Sequence, residues 1–196
     1  MKKNDGKLIA VSGGIGSGKS VICKILSNMG YPVYDCDSRA KILMDNDEKI
    51  KNDIIRLISP DVVTDGCIDR KALSRCVFND ADALEALNGI VHSSVRADLI
   101  NWKRTIDTIG FVETAILYQS GIDKMVDEVW EVMAPMDIRV ERVMSRSNMS
   151  ADEVMARIKL QDAYEVNHRH ARTFRIINDG LFPVLPQVCA ILSVDY

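Results

Sequence analysis

The residues best suited to chemistry lie at positions 13–20, which read GGIGSGKS and match in full the phosphate-loop pattern G-x-x-x-x-G-K-[ST]. An apolar run at 8–11 precedes this loop, and a segment with helical spacing of apolar residues begins at Val21. Glycines let successive backbone N–H groups converge on phosphate oxygens without a side chain in the way. Lys19 can then reach the outer phosphates, and the Ser20 hydroxyl can coordinate magnesium.

The loop therefore predicts a nucleoside triphosphate as the first ligand, bound together with magnesium. An ordinary glycine-rich turn is the alternative that the pattern leaves open. The residues expected to contact the nucleotide are Gly14, Ile15, Gly16, Ser17, Gly18, Lys19, Ser20 and Val21.

Two carboxylates, Asp35 and Asp37, follow a second apolar segment at a spacing of two residues. In an extended backbone such side chains point the same way, here toward the sheet edge that carries the phosphate loop. One of them could accept the proton of an attacking hydroxyl group while the other holds magnesium through water. The alternative for either residue is that it caps the helix expected to start near Ser38.

A third carboxylate, Glu113, closes another apolar segment. A carboxylate at the end of such a strand often contacts the magnesium shell in phosphate-loop enzymes. A solvent-facing strand end is the alternative.

Three arginines, Arg139, Arg142 and Arg146, are spaced by three and four residues, which places them on one face of a helix. A one-sided row of guanidinium groups suits the clamping of charge that develops on a transferring phosphoryl group. Surface ion pairs with Asp137 or Glu141 are the ordinary alternative for any one of them.

Short apolar segments separated by helical patterns predict a parallel sheet covered on both faces. The five expected strands lie at residues 8–12, 31–34, 110–112, 128–133 and 174–178. Residues 38–108 are too long for a simple crossover and read as an inserted helical substrate region. Residues 136–171, polar and rich in arginine, are expected to form a helical lid. We treat residues 1–196 as one domain with these two regions inside it.

Composition limits the possible partners. A net charge of −3 and an isoelectric point near 5.6 argue against nucleic acid as a partner, because phosphate-backbone binding leaves a basic footprint. The N-terminal apolar run is too short for a signal peptide or a membrane span, so we expect a cytoplasmic protein without membrane contact. The five cysteines show no C-x-x-C pairing, which indicates neither a disulfide framework nor a zinc site.

Over nearly its whole length the sequence resembles the bacterial dephospho-coenzyme A kinases. The phosphate loop alone would fit many kinases, whereas an ordered series of matching positions is far more selective. In chain order these positions are 13–20, Leu26 with Gly30, Asp35 with Asp37, Gly66 with Asp69 and Arg70, Leu87 with Asn88 and His92, Ser120 with Gly121, Ala134 with Pro135, Arg142 with Arg146, Arg157 with Gln161, and Asn178 with Gly180.

The resemblance implies an α/β P-loop kinase fold: a five-stranded parallel sheet flanked by helices, a helical substrate-binding insertion and a helical lid. It also implies ATP- and Mg²⁺-dependent phosphorylation of the ribose 3′-hydroxyl of dephospho-CoA, the last step of coenzyme A synthesis. By position, Asp37 is the expected general base. The remaining roles carried over are Lys19, Arg142 and Arg146 in catalysis, Arg70 and His92 with Asp37 in substrate binding, and Ser20, Asp35 and Glu113 at the metal.

Several positions depart from the family pattern. They are Val21, Lys41, Ser93, the segment 115–119, and Arg172 with Thr173. None of them removes the phosphate loop or Asp37, so the departures concern substrate affinity and contacts to the nucleotide base.

Two alternative functions remain. One is a kinase of the same architecture that acts on a nucleoside monophosphate or gluconate, and the other is a phosphate-loop binding module without turnover. For His92 the alternative is a packed core residue.

Overall fold

A computed structural model describes residues 6–78, 80–147, 149–165 and 169–195. Within them lie seven strands. In chain order these are β1 (Lys7–Ser12), β2 (Val33–Asp35), β3 (Val63–Thr64), β4 (Cys67–Ile68), β5 (Ile109–Glu113), β6 (Glu128–Met133) and β7 (Thr173–Ile177).

The described residues also form eight α-helices and two short 3₁₀ turns, at Pro60–Val62 and Ile122–Met125. The helices are α1 (Lys19–Asn28), α2 (Cys36–Asn46), α3 (Glu48–Leu57), α4 (Arg70–Phe78), α5 (Ala81–Lys103), α6 (Met136–Met144), α7 (Ala151–Glu165) and α8 (Val184–Asp195). Not one of these helices combines the length and the apolar character needed to cross a membrane.

Five strands form one sheet in the order β2-β5-β1-β6-β7. The predicted five-stranded parallel sheet flanked by helices is confirmed, with strand ends within two residues of the expected ones. The largest difference is at β2, which begins at Val33 because Pro32 has no N–H group to donate to a ladder. The Pro32 carbonyl still accepts a hydrogen bond from the Phe111 N–H at 2.9 Å.

The central strand β1 is buried on both faces, and Leu8, Ile9, Ala10 and Val11 have no exposed surface. A strand in this position needs an unbroken apolar run, which explains why the sequence shows no polar alternation there. On one face β1 packs with α1 and α8 in a core that contains Ile22, Leu26, Phe111, Trp130 and Val188. The carboxyl end of β1, where the phosphate loop begins, is therefore anchored by the core.

A buried carboxylate, Glu128, opens β6. Its side chain is fully buried, accepts a hydrogen bond from the Trp130 indole at 3.0 Å, and forms ion pairs with Lys7 at 2.8 Å and Arg172 at 3.3 Å. Two cations and an indole thus satisfy a charge that would otherwise be costly to bury. Arg172, one of the departures from the family pattern, has a structural role here.

The chain divides into two compact units, one formed by Met1–Tyr34 with Lys103–Tyr196 and the other by Asp35–Trp102. The second unit has its own core, in which Ile50, Ile54, Val62, Leu73 and Ile90 are buried. Helices α2 to α4 and nearly all of α5 lie in this unit, while the bounds 38–108 of the helical insertion stay a prediction. That this unit binds substrate, and that residues 136–171 act as a lid, stay predictions; of those lid residues, 148 and 166–168 lie outside the described part.

The sequence reading missed an antiparallel hairpin, β3–β4, inside the second unit. Its two turn residues, Asp65 and Gly66, both have positive φ angles, 52° and 74°. Asp-Gly between β-branched and apolar residues is the usual signal for such a two-residue turn. The signal was therefore present in the sequence, but the surrounding helical periodicity obscured it.

Replacing Gly66 should test this turn. No atom lies within 4 Å of a Cβ built at Gly66, so Gly66→Ala should destabilise the fold by about 1 kcal/mol through its left-handed backbone alone. Gly89, in the interior of α5, also has open space around it and no positive φ. The control Gly89→Ala should therefore stabilise the protein by about 0.5–1 kcal/mol in the same urea titration. Equal effects of the two changes would contradict this account.

Candidate active site

The phosphate loop takes its shape from glycines. Gly13, Gly16 and Gly18 have φ angles of 139°, 80° and 95°, in the region that favours glycine. Gly18 occupies the N-cap position of α1, and the first turn of this helix carries no acidic residue. Because glycine has no side chain that could cap the helix, the first-turn N–H groups and the positive end of the helix dipole are suited to an anion.

The Lys19 ammonium group lies against its own loop, donating to the carbonyl oxygens of Gly13 at 2.8 Å and Gly14 at 3.3 Å. The first residue of α1 thus keeps its positive charge at the loop. This is the position from which the sequence predicts that Lys19 meets the outer phosphates.

Two more cations donate to loop carbonyls. Arg139 Nε binds the Ile15 oxygen at 3.0 Å, and Arg142 lies 3.5 Å from the Ser17 oxygen. The carbonyls of residues 13, 15 and 17 are thus each contacted by a lysine or an arginine. Carbonyl dipoles near a phosphate would repel it, so these donors increase the attraction of the loop for an anion.

The arginines predicted to share one face divide into two groups. Arg142 also binds the backbone oxygen of Asn178 at 3.0 Å, and its second nitrogen lies 3.4 Å from the Asn178 side-chain oxygen. Arg146 is exposed and follows α6, which ends at Met144. Arg139 and Arg142 therefore contact the loop, whereas a place for Arg146 on the same face stays a prediction.

Sequence reasoning did not include Asn178 or Gln161 among the site residues. Asn178 follows β7 and donates to the Ser17 oxygen at 2.8 Å. Gln161 on α7 accepts from the Ile15 N–H at 2.7 Å and donates to the Ala115 oxygen. Both were visible as positions of the family resemblance, and Asn178 also lies at the carboxyl end of a parallel strand, where ligands are expected.

A cavity of about 270 Å³ lies against the loop. Gly13, Gly14, Ser17, Tyr118 and Arg169 are among the residues that line it. Within the described part of the chain the Ser17 hydroxyl is buried and has no hydrogen-bond partner. A fully buried hydroxyl of this kind needs a ligand or water as a partner.

The carboxylate Glu113 ends β5 beside the loop. Its partner in the strand register is Val11 on β1, and the next residue, Thr114, donates its N–H to the Val11 oxygen at 3.2 Å. Glu113 thus lies at the sheet edge where the phosphate loop begins. The described residues contain no group of three or more His, Cys, Asp or Glu that could hold a metal. Magnesium bound with a nucleotide typically uses phosphate oxygens and one or two carboxylates.

In the second unit, Asp35 is the N-cap of α2. One of its oxygens accepts from the N–H groups of Asp37 at 3.0 Å and Ser38 at 3.2 Å, and the other from the Ser38 hydroxyl at 2.5 Å. Asp37 lies in the first helical turn with an exposed side chain. The helix-capping alternative therefore describes Asp35, while the carboxylate of Asp37 faces solvent.

The two other residues predicted to bind substrate, Arg70 and His92, also belong to this unit. The guanidinium group of Arg70 is exposed and pairs with Asp45 at 2.8 Å. His92 is half-buried, and burial together with the nearby charge of Arg96 lowers the pKa of its imidazole. A neutral imidazole at neutral pH can donate one hydrogen bond and accept another.

A sequence model described as "Dephospho-CoA kinase" matches residues 7–182. The chain belongs to the dephospho-CoA kinase family. A dephospho-CoA kinase from Porphyromonas gingivalis is 36% identical over 186 residues, covering 94% of this chain and 92% of that protein. A dephospho-CoA kinase from Thermus thermophilus is 36% identical over 174 residues, covering 88% and 83%.

Solved structures extend the family likeness to the fold. A crystal structure of a Thermus thermophilus protein matches with a TM-score of 0.80 at 31% identity, covering 98% of this chain and all of that one. A dephospho-CoA kinase from Campylobacter jejuni matches with a TM-score of 0.68 at 25% identity, covering 96% of each chain. A shikimate kinase from Bacteroides thetaiotaomicron, at 13% identity and a TM-score of 0.57, shares the fold alone. As a member of the dephospho-CoA kinase family the protein is a kinase.

Proposed function

We propose that this protein transfers the γ-phosphoryl group of ATP to the ribose 3′-hydroxyl of dephospho-CoA, giving coenzyme A and ADP. The observation that carries the proposal is the phosphate loop with its glycine-capped α1, in a chain that matches the family over residues 7–182. The reaction is the last step of coenzyme A synthesis, and its expected place is the cytoplasm.

The triphosphate is held by residues 14–21. Backbone N–H groups at the start of α1 and the ammonium group of Lys19 supply the donors and the positive charge. Arg142 and Arg146 add positive charge as the lid closes. Arg142 already lies beside Ser17, whereas Arg146 has to approach from an exposed position. Such contacts lower the barrier because phosphoryl transfer depends mainly on positioning and charge stabilisation.

Magnesium is the expected metal, held by the Ser20 hydroxyl, Asp35 and Glu113. When bound, it neutralises charge on the phosphate oxygens. The side chains of Ser20, Asp35 and Glu113 have suitable chemistry, since hydroxyl and carboxylate oxygens are the ligands that magnesium prefers. Both oxygens of Asp35 take part in the cap of α2, but a carboxylate has further lone pairs with which to bind a metal-bound water.

Asp37 is the proposed general base. The cap formed by Asp35 fixes the first turn of α2 and thereby the position of Asp37, whose exposed carboxylate can accept the proton of the 3′-hydroxyl group. Arg70 and His92, in the same unit, are proposed to bind dephospho-CoA. An exposed guanidinium group suits its phosphates, and a neutral imidazole suits a hydroxyl or amide group.

The first test is ADP release from ATP and magnesium in the presence of dephospho-CoA, AMP, CMP or gluconate. Dephospho-CoA alone should stimulate release strongly, with coenzyme A as product. Stimulation by a different acceptor would retain the kinase fold and overturn the substrate. No stimulation by any acceptor would favour a nucleotide-binding module.

The variant Asp37→Asn tests the role of the base. It should keep ATP affinity and lose about 10²–10⁴-fold in kcat, because a positioned base contributes about that much to proton transfer. Asp82→Asn is a matched control: Asp82 is also an exposed aspartate in the first turn of a helix, α5. Near-normal turnover by Asp37→Asn, or an equal loss in both variants, would remove Asp37 from this role.

A further inference from the structure

One residue of the phosphate loop, Ile15, contacts α6 and α7 through both its backbone polar groups and its side chain. Its N–H donates to the Gln161 side chain at 2.7 Å, and its carbonyl accepts from Arg139 Nε at 3.0 Å. Its side chain packs against a small core in which Val143, Val154 and Ile158 are buried. Both backbone polar groups and the side chain of this residue thus depend on helices far away in sequence.

Arg139 lies against three residues of the loop. Its guanidinium group lies over Gly14, so that a Cβ at Gly14 would overlap its terminal nitrogen. Its backbone lies close to Gly16, where an added Cβ would be 2.5 Å from the Arg139 carbonyl oxygen and 2.9 Å from its Cα. Only 11% of the Arg139 side chain is exposed. The conformation of residues 14–16 is therefore coupled to Arg139, through its side chain at Gly14 and Ile15 and through its backbone at Gly16.

Asp162 binds the terminal guanidinium nitrogens of Arg139, whose Nε binds Ile15. Both terminal nitrogens of Arg139 lie within 3.3–3.4 Å of Asp162 oxygens, and Asp162 follows Gln161 directly on α7. The Asp162 side chain is 41% exposed, so it meets the guanidinium group from the solvent side. Without this carboxylate, a largely buried cation would lose its counter-ion and with it one fixed orientation.

We propose that Arg139 and Asp162 form a positioning pair that fixes the tip of the phosphate loop, residues 14–16, in its nucleotide-binding conformation. The proposal rests on the proposed function, since ATP is taken as the ligand. A loop that samples other conformations has an apparent Kd that is raised by the inverse of the fraction of time it spends in the binding conformation. The pair therefore acts first on ATP affinity.

The test compares Arg139→Gln, Asp162→Asn and the double variant with wild type, using direct ATP titration and steady-state kinetics. Each single variant should raise the Kd and KM for ATP by about tenfold, or about 1.4 kcal/mol, within the range of couplings measured for residues in contact. The double variant should be no weaker than the worse single one, because both changes break the same pair. The KM for dephospho-CoA should stay within about twofold of wild type in both single variants, and kcat should do so in Asp162→Asn, which keeps the Arg139 cation beside the loop.

A second measurement needs no activity. Amide hydrogen exchange at Ile15 in the nucleotide-free protein should be faster in both single variants, because the pair helps to keep this N–H on Gln161. The matched control is the exposed pair Arg56 and Asp53 on α3, whose Gln and Asn variants should change neither exchange at Ile15 nor ATP affinity.

Three outcomes would overturn the positioning pair: additive effects of the two changes, tighter ATP binding by Asp162→Asn, or a lower Tm with unchanged ATP affinity and Ile15 exchange. Failure of wild type to phosphorylate dephospho-CoA would instead overturn the proposed function. In that case ATP titration and the exchange of Ile15 would still decide the role of the pair.

Discussion

The passage from β1 into α1 is the constraint on which the site depends. Four consecutive residues of β1 are fully buried, so the core holds the point where the chain leaves the sheet. The chain must then turn into a helix through residues with positive φ, and the N-cap position of this helix is Gly18, which has no side chain to cap it. Unsatisfied helical N–H groups are a cost to a folded chain, and an anion removes that cost. The preference for phosphate thus follows from the backbone geometry by which β1 leads into α1.

The elements around β1 supply what the loop lacks. The strands β5 and β6 pair with β1 on either side, so the residues that follow them arrive at the same edge of the sheet. Beyond β6 come α6 and α7, and beyond β7 comes Asn178. Residues of α6, together with Asn178 and Lys19, donate hydrogen bonds to the loop carbonyls, and Gln161 on α7 accepts one from the loop. Backbone oxygens are thus bound by cations and an amide, and positive potential is concentrated where phosphate is expected. The donors from these neighbouring elements therefore add to the anion site formed by the loop.

Motif and periodicity were enough to predict the loop, the five strands and the helical character of the two long segments, because these depend on local residue patterns. The contacts that hold the loop were not predictable in this way. Gln161 meets Ile15 across 146 positions of sequence, and Asn178 meets Ser17 across 161. Local patterns also could not say at which residue α6 ends, or whether Asp35 caps a helix. The hairpin at Asp65 and Gly66 did have a local signal, within a stretch otherwise read as helix.

The loop and the start of α1 are expected to recognise a chain of phosphates. This recognition can be measured in a competition titration in which inorganic tripolyphosphate, ADP, AMP and adenosine each displace ATP from the wild-type protein in the presence of magnesium. Tripolyphosphate and ADP should displace ATP well, and AMP and adenosine should do so at least tenfold less well. Displacement by adenosine as effective as that by ADP, with none by tripolyphosphate, would contradict this expectation.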